Sequence, residues 1–132
     1  MSKERLLILD PEPNTQWTLK VSLEEEDFSV ITANSIDQAI ENFKENELSG
    51  LITEYRVGHS STLNTVREFK KVFPEAFVMM LSNEEVLANE NEYEEIINAG
   101  IDDFFQKPIS FRKVLLHLKK GLKQRANAVL EK

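Results

Sequence analysis

The sequence predicts an α/β fold: a single doubly wound (βα)5 domain with a five-stranded parallel sheet and helices on both faces. Three observations predict it. Five short apolar runs alternate with five stretches of helical periodicity along 132 residues. Each run reaches the next through a helix, which requires right-handed crossovers and parallel strands. With 41% hydrophobic and 30% charged positions, the chain can close one core but is too short for two ordinary domains.

Arg5 to Leu9 (RLLIL) is an apolar run too short for a helix and followed by a Pro-containing stretch, so it reads as a buried strand. Asn14 is positioned to cap a helix over 15–26, where Leu19/Leu23 and Trp17/Val21 form i,i+4 pairs. Phe28 to Ala33 (FSVITA) is rich in strand formers. Ser35 is the N-cap of a second helix carrying Ile36, Ala39, Ile40 and Phe43. Gly50 to Thr53 is a third strand ending at Glu54, and a polar loop around 58–61 follows. Leu63, Val66, Phe69 and Val72 mark a third helix that stops before Pro74. Phe77 to Leu81 (FVMML) is the fourth strand, with Ser82 at its end. A loop and a fourth helix, completed by Ile96, Ile97 and Ala99 and closed by Gly100, occupy the stretch after it. Asp103-Phe104-Phe105 is the fifth strand, and Ser110 caps a last helix bearing Val114, Leu115, Leu118 and Leu122.

Composition removes several classes of function. Sixteen basic against 23 acidic residues give a formal charge of −7, which disfavours nucleic acid and anionic membrane surfaces as partners. Cysteine is absent, so thiolate metal sites, disulfides and cysteine nucleophiles are excluded. The four glycines, Gly50, Gly58, Gly100 and Gly121, are far apart, and no Gly-rich phosphate loop can be written. His59 and His117 lie far apart in the chain with no cysteine to join them, so no metal site is expected from them. No run approaches the roughly 20 apolar residues of a membrane span, and a cytoplasmic protein is expected. The charge is divided: from Phe104 onward eight basic residues face Glu131 alone, a local +7, leaving −14 on the preceding residues.

In a sheet of this kind the functional crevice lies outside the carboxyl ends of the strands. Those ends carry Asp10 and Glu12, Glu54, Ser82 and Lys107. With the segments LLILDPEPN, GLITEYRVG, VMMLS and AGIDDFFQKP, this set makes residues 4–124 resemble the receiver domain of two-component response regulators. The resemblance implies the flavodoxin-like strand order 2-1-3-4-5. It also implies a phosphoryl group passed from a partner histidine to an aspartate at the end of the third strand. A magnesium ion held by that aspartate and an acidic pair after the first strand assists the transfer. A Ser or Thr and a Lys before a cis proline respond to it.

Carried over by residue, Asp10 is the first member of the acidic pair, Ser82 the hydroxyl and Lys107-Pro108 the Lys-Pro motif. Phe104 stands where the family often has a switching aromatic, and reads more simply as a core strand residue. Two positions depart from the pattern. Pro11 replaces the acid that ligates magnesium directly, and Glu54 stands where the phospho-accepting aspartate belongs. The extra methylene moves the carboxylate by about 1 Å, a shift that can cost about 100-fold where in-line geometry matters. No magnesium cofactor and no useful phosphorylation are therefore expected. Asp10, Glu12 and Glu54 gathered without a metal need a cation, and Lys107 is the nearest. The expectation is a Glu54–Lys107 pair, with Ser82 against Glu54, holding an atypical receiver in one signalling state. The alternative is a phosphorylatable receiver with a rearranged acceptor and metal site.

Function should then lie in protein contacts. Trp17/Val21 and Leu19/Leu23 fall on nearly opposite sides of the first helix, and the resemblance makes the leucines the core pair. Trp17, with Val21, is either an interface anchor or an edge aromatic lying on a neighbouring helix. Glu84, Glu85, Glu90, Glu92, Glu94 and Glu95 make the fourth-helix region acidic, whereas the last helix is basic. The resemblance assigns this face to partners: a histidine kinase, an output domain, or a second copy through the fourth helix, fifth strand and last helix. Solvated charged faces are the plainer reading of such runs. The expected organisation is a receiver-like domain over 1–124 and a helical extension or tail over 125–132.

Overall fold

The computed structural model describes residues 3–83 and 90–130. β1 (Arg5–Leu9), β2 (Ser29–Ala33), β3 (Gly50–Glu54), β6 (Phe77–Ser82) and β7 (Asp103–Gln106) form one parallel sheet in the order β2-β1-β3-β6-β7. This is the expected order, with β6 and β7 as fourth and fifth strands of the sheet. The helices are α1 (Pro13–Glu25), α2 (Ile36–Glu45), α3 (Leu63–Val72), α4 (Glu90–Ala99) and α5 (Phe111–Leu130).

Strand side chains alternate between two cores. Leu7, Leu9, Leu51, Val78 and Met80 pack with α2, α3 and α4 through Ala39, Phe43, Val66, Phe69, Ile96 and Ala99. Leu6, Ile8, Ile52, Met79 and Leu81 pack on the other face with Leu19 and Leu23 of α1 and Val114, Leu118 and Leu122 of α5. Leu19 and Leu23 are thus the core pair of α1, and Trp17 is 67% exposed. Where α5 crosses the sheet, a Cβ at Gly121 would collide with the Phe77 ring, so glycine alone permits that approach.

Several local expectations need correction. The first helix starts at Pro13 with Glu12 at the N-cap position, not with Asn14 as cap; proline suits the first turn because its missing N–H has no intrahelical partner there. Ser35 does cap α2, its Oγ accepting from Gln38 N–H at 3.2 Å. Val72 and Ile97 are each 51% exposed and stand outside the core. The polar loop after β3 is a small antiparallel hairpin, β4 (Arg56–Val57) and β5 (Ser60–Ser61), turning at Gly58 with φ of 66°. The acidic positions Glu84 and Glu85 lie outside the described residues.

Candidate functional site

The register of the sheet assembles the site. β1 ends at Leu9, so Asp10 leaves the sheet beside Ala33 of β2, donating its N–H to the Ala33 carbonyl at 3.2 Å. Gln16, from α1, donates to the carbonyls of both Asp10 and Ala33, at 3.2 and 3.1 Å, and ties the two strand ends together. Glu54 pairs across to Leu81 in β6, which places Ser82 one residue further on. Lys107 follows β7 directly. Its N–H donates to the Ser82 carbonyl at 2.7 Å, and the Lys107-Pro108 peptide bond is cis.

The Lys107 ammonium closes the crevice. Its Nζ lies 2.7 Å from Glu54 Oε2, 3.0 Å from Asp10 Oδ2 and 3.4 Å from Glu12 Oε2. Asp10, Glu54 and Ser82 are buried, whereas Glu12 is exposed. Asp10 Oδ1 also accepts the Glu12 N–H at 2.8 Å. The Glu54–Lys107 contact is charge on charge rather than a well-angled hydrogen bond, since Oε2 has no hydrogen-bond partner of good geometry. Asp10, Glu12, Glu54 and Lys107, with Pro11, Arg56 and Asn83, line a pocket of about 210 Å³, to which Ser82 does not contribute.

The electrostatics follow from three carboxylates meeting one ammonium in a poorly hydrated place. Burial pushes the Glu54 carboxyl above its ordinary value; Lys107 opposes this and Asp10 adds to it. Burial is also the largest influence on Lys107 and acts to lower its pKa. Contacts with Glu54 and Asp10 together outweigh it, so Lys107 is raised. A mutual attraction by itself would push the two partners in opposite directions. Glu54 fails to come down because desolvation and a like charge act on it at once. Among the described residues no group of three His, Cys, Asp or Glu side chains is arranged to hold a metal ion.

The structure therefore brings Asp10, Glu12, Glu54, Ser82 and Lys107 together. Phe104 is half-buried on β7 and packs against the core shared by α2, α3 and α4. Trp17 and Val21 lie on α1 and do not line the pocket. His117, on α5, has Nδ1 2.6 Å from Asp103 Oδ2 and its ring edge-on to Phe105.

A model of the response regulator receiver domain matches residues 6–119. The chain belongs to that family. Receiver domains are signalling modules of two-component systems. The transcriptional regulatory protein SrrA of Staphylococcus aureus is 26% identical over 131 residues, covering 99% of this chain and 52% of that protein. The chain thus spans about half the length of the curated relatives it matches. A CheY-like receiver domain protein from Methanospirillum hungatei superposes with a TM-score of 0.89 at 20% identity, covering 96% of this chain and 99% of the other. A response regulator from Burkholderia pseudomallei, solved with a phosphorylated aspartic acid and a calcium ion, superposes with a TM-score of 0.80 at 20% identity, covering 98% of this chain and 75% of that one. Both likenesses are of fold. No helix among the described residues of this receiver domain is long and apolar enough to cross a membrane.

Sequence reasoning missed the hairpin and two polar residues that fix the site. Gln16 carries no signal of its own, being one polar residue on a polar helix face. Thr62 follows the polar stretch 58–61 and carries no distinguishing signal in the sequence. It is fully buried, with its Oγ donating to the Glu54 carbonyl at 2.7 Å.

Proposed function

We propose that this receiver domain signals without phosphorylation, through contacts with protein partners, from a state held by its own lysine. The observation that carries the reading is the Lys107 ammonium seated between Glu54 and Asp10, where it neutralises the acids that a metal ion would otherwise draw together. Pro11 offers no ligand, and magnesium demands near-ideal octahedral geometry from carboxylates and substrate oxygens. The residues present do not fit that ion. The Burkholderia relative carries a phosphorylated aspartate and calcium; here the acceptor position holds Glu54, whose longer side chain already reaches the lysine. One carboxylate supplies one charge and two oxygens, fewer than a phosphoryl group, so Glu54 imitates a modified site only in part.

The partners of this reading are a histidine kinase or an output domain, met in the cytoplasm. A second copy docking through α4, β7 and α5 also fits, because Glu90, Glu92, Glu94 and Glu95 on α4 complement Arg112, Lys113, Lys119, Lys120 and Lys123 on α5. Nucleic acid is not assigned to this domain, given its charge of −7.

The test is treatment with acetyl phosphate or beryllofluoride in magnesium, followed by intact-mass analysis and amide spectra. No adduct and no shift are expected. A stoichiometric phospho-adduct on Glu54 or a neighbouring serine would overturn the reading in favour of a rearranged, phosphorylatable site.

A further inference from the structure

The acidic pocket is held from behind by a device that the sequence resemblance does not supply. After Glu54 the chain forms the β4–β5 hairpin and returns at Thr62, the residue preceding α3. Threonine is a favoured N-cap residue, yet the Thr62 side chain does not cap α3. Its Oγ lies 2.7 Å from the Glu54 carbonyl and 3.2 Å from that of Tyr55, and its N–H donates to the Tyr55 carbonyl at 2.8 Å. The Leu63 N–H is taken instead by Ser61 Oγ at 3.2 Å. Thr53 Oγ adds a second hydroxyl to the Glu54 carbonyl at 3.0 Å.

The hairpin between these ties is anchored as firmly. Tyr55 and Val57 are buried in the core with α3, and the Tyr55 N–H donates to the Leu81 carbonyl at 2.8 Å. Gly58 provides the left-handed turn residue, with φ of 66°. Two residues of ladder would not hold a hairpin alone. Buried hydrogen bonds at both ends make it a strut.

We propose that Thr62 is a positioning residue: by gripping the Glu54 carbonyl it fixes the backbone from which the Glu54 carboxylate reaches Lys107, with the β4–β5 hairpin as the rigid spacer. The inference rests on the phosphorylation-independent reading, because a permanently set carboxylate is useful only where no phosphoryl group has to be accommodated. A hydroxyl that abandons its own helix cap to hold the backbone of the pocket residue has this as its structural consequence.

The experiment compares Thr62→Val, which keeps the shape and removes the hydroxyl, with Thr62→Ser, which keeps the hydroxyl. Carboxyl carbon NMR follows the titration of Glu54, and proton–nitrogen spectra follow the Lys107 ammonium. In Thr62→Val the Glu54 midpoint is expected to fall by about 0.5 pH unit or more toward its ordinary value as burial relaxes. The Lys107 ammonium signal is expected to vanish through faster proton exchange. Thr62→Ser should keep both. Unchanged signals in a folded Thr62→Val protein would overturn the proposal. Should that variant fail to fold, hydrogen exchange on the wild type decides. Amides of Tyr55 and Thr62 protected as strongly as those of β3 support the strut, and exchange at loop rates refutes it. Phosphodonor treatment of the wild type reports on the underlying reading alone, so the two failures are distinguishable.

Discussion

Lys107 Nζ sits 2.7 Å from Glu54 Oε2 with both side chains less than a tenth exposed, and Asp10 completes the cluster from the carboxyl end of the neighbouring strand β1. Removing one member of such a group leaves uncompensated buried charge, which typically costs about 3–5 kcal/mol. Lys107→Met should lose stability in that range at neutral pH by urea denaturation. Most of the loss should return in acid, when Glu54 is protonated in both states. A loss under about 1 kcal/mol at neutral pH would show that water, rather than the ammonium, neutralises the pocket.

The two raised groups set the sign of the pH dependence. Glu54, raised chiefly by burial above 4.5, binds its proton more tightly folded than unfolded. Its contribution is therefore full below 4.5 and declines as pH rises through the folded value. Glu54→Gln should lack that decline. Lys107, raised above 10.5 by Glu54 and Asp10 against the opposing effect of burial, contributes fully below 10.5 and less as pH climbs through its folded value. Lys107→Met should show no such alkaline loss. Denaturation midpoints across pH 3 to 12, roughly the span in which these groups titrate, check both.

Two substitutions should convert the pocket. Pro11→Asp with Glu54→Asp replaces the missing acid and withdraws the carboxylate from Lys107 by about 1 Å, the length of a methylene step. The double variant is expected to bind magnesium in a calorimetric titration and to gain a phosphoryl group from acetyl phosphate. The wild type should do neither. A double variant as inert as the wild type would locate the block elsewhere.

Replacing glycine by alanine inside a helix ordinarily gains up to about 1 kcal/mol. Gly121→Ala should reverse that sign, because the new methyl meets the Phe77 ring, and overpacking costs about 1–3 kcal/mol. Pairing it with Phe77→Leu should recover much of the loss. Thermal or urea unfolding of the three variants forms the cycle.

Trp17 is 67% exposed on a helix whose core contacts are made by Leu19 and Leu23. Trp17→Ala should change stability by no more than about 0.5 kcal/mol, as surface substitutions do. If α1 is a docking face, affinity for a partner retrieved with the domain should fall by more than about tenfold, the behaviour of an aromatic anchor. Unaltered affinity would return Trp17 to the ordinary surface.

The strands and the pocket were legible because they depend on few residues with strong local signals. RLLIL, GLITE and FVMML can only be buried strands, and the five polar positions at strand ends are fixed by topology once the strands are placed. The Glu54–Lys107 pair followed once the receiver resemblance had placed Glu54 at the acceptor position and Pro11 had taken away the metal, since carboxylates clustered without a metal require a cation. The start of α1 was not legible: Asn14 is the better cap by residue type, but Pro13 already has the fixed φ of a first helical residue. The hairpin was hidden by its size. Arg56-Val57 and Ser60-Ser61 are too short for alternation to register, and only Gly58 at the turn hinted at it. Thr62 could be found only after the chain reversal had brought it back to Glu54.

The contact between Gly121 and Phe77 works as a notch. α5 is 20 residues long, about 30 Å of rod, and the aromatic ring of β6 is seated in it at a single level. Any residue with a Cβ placed at that level would collide with the ring, so the position of Gly121 indexes the helix against the sheet. Closing that notch carries the cost of overpacking, about 1–3 kcal/mol, so the level at which α5 crosses β6 is set by one missing methyl group.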